Sequence, residues 1–199
     1  MFKKNWLAIP MIIIGFYYNL WTIRNADTEM IFDGIIYGFL ILVFLIFLGF
    51  AINKDLKKNK FEKNWKNFFP TITGLSFLIS FIVININLSL RDNSPILIQA
   101  GYDGGFNGAW FEFRKDETYK FGNHAGIGAD YFRGKYELKD SIITLDRNEI
   151  DNVIKTNKLA IRNEVYGNSV SKIIIQIDEN HKIVDKEIKF SVNEYKVIE

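Results

Sequence analysis

Apolar and polar positions alternate along this chain in two different periods, and the period changes near residue 90. Before that point the apolar residues come in long unbroken runs: Trp6 to Ile23, Ile31 to Ile52 and Phe68 to Leu90. A helix needs about 20 residues to cross the hydrocarbon core of a bilayer. The three runs reach or approach that length, with Asp33 as their one charged residue. They predict a three-span transmembrane domain over residues 1–90. After residue 95 the period becomes two. Phe111 and Phe113 alternate with Glu112 and Arg114, Tyr119 and Phe121 with Lys120, and Tyr136-Leu138 and Ile143-Leu145 repeat the rhythm. Alternation over short runs, broken by Gly, Asn and Asp, predicts β-strands with one buried face. Seven to nine short strands are expected over residues 95–199, closed as an up-and-down barrel or stacked as a sandwich.

Within that domain, Lys172–Asp178 alternates around Ile173, Ile175 and Ile177, and Ile188, Phe190 and Val192 share a further face. Residues 147–157 carry Ile150, Val153 and Ile154 at helical spacing, which suggests a helical turn against the sheet or a loop. The cadence Asn107-Gly108-Ala109-Trp110-Phe111-Glu112-Phe113, Glu117-Thr118-Tyr119-Lys120-Phe121, Gly134-Lys135-Tyr136-Glu137-Leu138, Asp140-Ser141-Ile142-Ile143-Thr144-Leu145 resembles the small lipocalin-like β-domains of bacterial envelope proteins. The resemblance covers about residues 107–145. It implies an up-and-down β fold with an open end, and it carries over no functional residue.

Charge sets an orientation. Residues 1–90 carry nine Lys plus Arg against five Asp plus Glu, a net of +4; residues 91–199 carry 16 against 18, a net of −2. Six of the lysines stand in the segment 53–67: Lys54, Lys57, Lys58, Lys60, Lys63 and Lys66. Short basic loops stay in the cytoplasm. The segment is therefore expected to be a basic cytoplasmic loop, with Lys3 and Lys4 holding the N-terminus on the same side. Trp6 and Trp65 then mark the inner interface, and Tyr17, Tyr18 and Trp21 the outer one. This places the chain in the cytoplasmic (inner) membrane, with the β-domain periplasmic or extracellular. The positive excess borders apolar runs, so membrane lipids and not nucleic acid are its expected contacts. Gly34 and Gly38 have the spacing that lets helices approach, which leaves oligomerisation through the spans open.

Chemistry is sparse. There is no cysteine. The two histidines, His124 and His181, have no second imidazole at a metal-binding spacing. The glycines of Gly122–Gly128 match no phosphate-binding loop and suit turns or bulges. No catalytic, cofactor or metal site is expected, and the chain is read as not an enzyme. The aromatics are the exception. Trp110-Phe111 and Tyr131-Phe132 are adjacent pairs, and neighbours on a strand point to opposite faces. One ring of each pair must leave the inner layer, which makes Trp110, Tyr131 and Phe132, with His124 in the glycine loop, the candidate partner-binding residues. The expected function is a membrane-anchored extracytoplasmic binding module with a protein partner on that side. An immunity protein that neutralises a secreted toxin and a structural subunit of a membrane complex are the alternatives.

Overall fold

The computed structural model describes residues 5–61, 63–167 and 169–196. The chain divides into two units, Met1–Arg91 and Asp92–Glu199.

The first unit is three helices. α1 (Ala8–Arg24) takes Pro10 in its first turn, where a missing N–H is harmless. An extended segment, β1 (Thr28–Met30), leads to α2 (Asp33–Phe61). The Asp33 carboxylate accepts the Met30 N–H at 2.9 Å and closes that connection. A 3-10 turn over Trp65–Phe68 then leads into α3 (Phe69–Leu90). A narrow seam is buried: Met11 and Tyr18 of α1, Phe44, Leu48 and Ala51 of α2, and Phe81 of α3. The opposite faces are just as apolar and are exposed, among them Ile13 and Phe16, Ile35 and Phe39, Ile79 and Ile82. A water-soluble bundle would bury such residues.

Two of the three expected spans are long and apolar enough to cross a membrane, α2 and the helix running from Trp65 to Leu90; in α2 only 17% of the most apolar stretch is buried. α1, with 17 residues, falls short of that length. The basic segment also differs from the expected loop. α2 continues as helix through Phe61, so Lys54, Lys57, Lys58 and Lys60 stand on helical turns. Lysines are good helix formers and nothing in Asn53–Phe61 breaks the helix. Asp55, 2% exposed, turns inward there, and its Oδ2 accepts from Thr71 N–H (3.2 Å) and Thr71 Oγ1 (2.7 Å) at the start of α3.

The second unit is a closed eight-stranded antiparallel barrel: β2 (Ile96–Gly104), β3 (Asn107–Arg114), β4 (Thr118–Ala125), β5 (Gly128–Lys139), β6 (Ile142–Leu145), β7 (Lys158–Tyr166), β8 (Ser169–Ile177) and β9 (Lys189–Tyr195). Each strand pairs with its neighbours in sequence, and β9 closes on β2 through Ala100–Val192 and Gly101–Ser191. This is the up-and-down order, and no sandwich forms. Eight strands leave an interior that side chains can fill. Phe111, Phe113, Tyr119, Phe121 and Phe190 fill it, with Ile98, Ile143, Leu145, Leu159 and Ile174 around them.

Residues 146–157 are neither helix nor strand. Asp151 and Asn152 adopt left-handed backbone (φ 49° and 55°), and Ile150 and Ile154 bridge across the turn they make. Both isoleucines are buried in the barrel core. The helical spacing of Ile150, Val153 and Ile154 thus marks a plug. It lies at the end of the barrel opposite the entry of the chain at Asp92. Gln176 holds it: its Oε1 accepts the Lys155 N–H at 2.7 Å and its Nε2 donates to the Val153 carbonyl at 2.9 Å.

That bond reverses an expectation for β8. Ile174 and Gln176 face the interior, while Ile173, Ile175 and Ile177 form a second small cluster with Ala160 on the other face. A one-residue shift exchanges the faces of a strand, and here the polar Gln176 marks the inner face.

Candidate functional site: the outer face and plugged end of the barrel

Four connections lie at the plugged end: β2–β3, β4–β5, β6–β7 and β8–β9. The first is the turn Gly104-Gly105-Phe106, with Gly105 at φ 81° and its N–H held by the Asp103 carboxylate at 2.8 Å. The turn projects Phe106, 79% exposed. The second turn is Gly126-Ile127, with Gly126 at φ 58° and Ile127 62% exposed. The Phe106 ring lies over Gly126, where an added Cβ would come within 2.9 Å of it. The two tips therefore touch and present Phe106 and Ile127 together. Ile183 and Val184 are exposed on the β8–β9 connection at the same end.

Strand register extends this surface down the outside of the wall. Gly108 is opposite His124, which is opposite Ala129. The next row is Gly101, Trp110, Gly122 and Tyr131. A Cβ at Gly122 would collide with the indole of Trp110. The missing side chain lets the indole lie flat on the wall and reach Tyr131, edge-on at 5.9 Å. The Lys120 Nζ stands 4.3 Å from the Tyr131 ring centre, close enough for a cation–π contact.

The third row is Gln99, Glu112, Lys120 and Arg133. Asp92, from the segment entering the barrel, lies across it. Arg133 grips its carboxylate with two hydrogen bonds, Nε at 2.9 Å and Nη2 at 2.7 Å. Lys120 approaches at 3.2 Å and Arg114 at 3.6 Å. Arg114 also pairs with Glu112, and Tyr136 donates to the Arg114 carbonyl at 2.8 Å. The Arg133 hydrogen bonds, outweighing the burial that opposes them, hold the Asp92 carboxyl well below the usual carboxylate range.

A consequence can be measured. A carboxylate whose folded pKa is depressed adds stability above its unfolded value, about 3.9, and that stability fades as pH falls through the folded value. Asp92→Asn is expected to cost about 1.5–3 kcal/mol at neutral pH, the range of hydrogen bonds to charged groups. The gap between wild type and variant should narrow below about pH 4. Urea titrations across that range check it, and a gap that stays constant would remove Asp92 as the clamp.

The four candidate residues do not form one group. Trp110 and Tyr131 are half-buried, in contact on the outer wall. His124 is exposed, one row closer to the tips. Phe132 points inward and packs on the core, 6.2 Å from the Phe121 ring centre. Phe106 and Ile127, the most exposed apolar side chains at this end, were not among the candidates. A phenylalanine inside Gly104-Gly105-Phe106-Asn107-Gly108 was the available signal, since a tight turn has no inward face to hide it. Ser141, at the β5–β6 turn, and Ser169, at the start of β8, lie at the other end of the barrel from His124.

Beside this surface, a groove of about 530 Å³ runs over Gly101 between Asp103, Glu164, Lys189, Ser191 and Asn193. Lys189 bonds Glu164 across it at 2.5 Å. No protein-family model, curated protein or solved structure matches the chain.

Proposed function

We propose that this chain is a membrane-anchored binding module. α1, α2 and α3 cross the cytoplasmic membrane together, with the N-terminus and the lysine-rich end inside. The barrel stands outside and captures a protein partner with its plugged end and outer wall. The observation that carries the binding reading is the contrast between a filled, plugged interior and the exposed Phe106–Ile127 pair beside Trp110 and Tyr131. Aromatic and aliphatic side chains pack the interior, so recognition is assigned to the outside. Rings and apolar tips supply contact area at low entropy cost and favour interface hot spots. Photo-crosslinking from position 106 tests it.

The third crossing is supported by packing. α1 shares the seam of α2 and α3 and exposes Ile9, Ile13, Phe16, Leu20 and Ile23. Its 17 residues span about 25 Å at 1.5 Å each, at the short limit for a bilayer. Orientation follows from the lysines. In cells stripped of any outer barrier, a cysteine at exposed Lys63 is expected to resist an impermeant thiol reagent, and one at Asp116 to react. The absence of native cysteine keeps the background clean. The reverse labelling pattern would invert the proposed topology.

A further inference from the structure

α2 is too long for the bilayer it is proposed to cross, and its excess is basic. Its 29 residues span about 43 Å, whereas the hydrocarbon core takes up about 30 Å, or some 20 residues. Counted from Asp33, the apolar part ends near Ile52. The remaining turns, Asn53–Phe61, carry Lys54, Lys57, Lys58 and Lys60, and the link to α3 adds Lys63 and Lys66. Lys57, Lys60, Lys63 and Lys66 are all exposed. The segment 53–67 contains two acids, Asp55 and Glu62. Asp55 is buried against Thr71, so its charge is turned away from the lysine surface.

Aromatic rings accompany these lysines. Phe61 is 90% exposed, Trp65 74% and Trp6 53%. Lys54 Nζ lies 5.8 Å from the Trp6 ring centre. Exposed Trp beside Lys, one helical overshoot beyond an apolar span, fits the headgroup layer, where indoles settle and ammonium groups meet phosphate.

We infer that this end of the helical unit is a binding surface for anionic phospholipid headgroups. The inference rests on the membrane reading above. Each lysine held near such a surface contributes about fivefold in partitioning. The exposed four together therefore supply a substantial preference for an anionic surface.

The test uses the full chain in native membranes and in purified form. Membranes are first washed with alkaline carbonate, and the detergent-purified chain is then offered mixed micelles of phosphatidylglycerol and phosphatidylcholine. Retained lipid is counted by native mass spectrometry. The expected result is carbonate resistance and a preference for phosphatidylglycerol of about tenfold or more, weakened by salt. Replacing Lys57, Lys60, Lys63 and Lys66 by Gln should remove most of that preference, and replacing them by Arg should keep it. The same change at Lys172 and Lys182 on the barrel should have no effect. Release by carbonate would overturn the membrane reading and this inference with it. Carbonate resistance with equal retention of the two lipids, or a Gln variant that keeps the preference, would overturn this inference alone. Retention of an acidic protein or nucleic acid in place of lipid would also overturn it.

Discussion

Phe111→Ala is expected to bring the barrel close to unfolding. Phe111 is fully buried at the centre of the ring cluster. It stacks on Phe113 at 5.0 Å and meets Phe121 at 4.7 Å, Phe190 at 5.3 Å and Tyr119 at 6.1 Å. These neighbours come from β3, β4 and β9, so no one strand can move to fill the space. Phe→Ala changes in cores cost about 3–5 kcal/mol because the cavity relaxes only in part. A small domain holds about 5–15 kcal/mol in total. Phe106→Ala, on an exposed turn, should stay within about 0.5 kcal/mol of wild type. Urea unfolding followed by circular dichroism compares the two. Similar midpoints would mean that the interior is not packed around Phe111.

The second large effect is expected at Gln176. Gln176→Leu keeps the bulk of the side chain but leaves the Lys155 N–H and the Val153 carbonyl unmatched. A buried polar group without a partner costs about 1–3 kcal/mol, so the pair should cost about 2–6 kcal/mol. The loss has a location. The plug turn should open first, so the Lys155 amide should exchange faster with solvent while Leu159, on β7, stays protected. Loss of Ile150 and Ile154 from the core would follow. A Leu variant with wild-type stability and an unchanged Lys155 amide would show that apolar packing alone seats the plug.

Gln176 also shows where the sequence was hard to read. Ile173-Ile174-Ile175-Gln176-Ile177 fits either register, because both faces of β8 are apolar. The usual rule sends the polar residue outward. Here the backbone of the plug needs a partner, and that need is set by residues 21 and 23 positions earlier in the chain. The alternation from Phe111 to Leu145 was legible because each strand has one wet face. Phe111, Phe113, Tyr119, Phe121, Tyr136, Ile143 and Leu145 are all buried. Leu138, in the same phase, is nevertheless exposed. The lysines after Ile52 were legible as charge but not as helix, since the apolar pattern stops there while helical propensity does not.

The candidate face on the outer wall divides in the same way. Adjacent aromatics implied that one ring of each pair leaves the core, and Trp110 and Tyr131 do so. Which ring leaves is decided by phase, which the inward Phe111 and Phe121 set for β3 and β4 and, through the Phe121–Phe132 pairing, for β5. The tips were hidden because the meeting of Phe106 with Gly126 joins two hairpins, and no local pattern records that contact.

The central claim, that the plugged end of the barrel captures a protein partner, is tested most directly by a photo-reactive phenylalanine analogue at position 106 in the full chain, irradiated in native membranes. One dominant protein adduct is expected, which also forms from position 127 and disappears in a Trp110→Ala variant that still folds. Position 140, in the turn at the other end of the barrel, should not give it. No specific adduct from 106 or 127, or the same adduct from position 140, would contradict the claim.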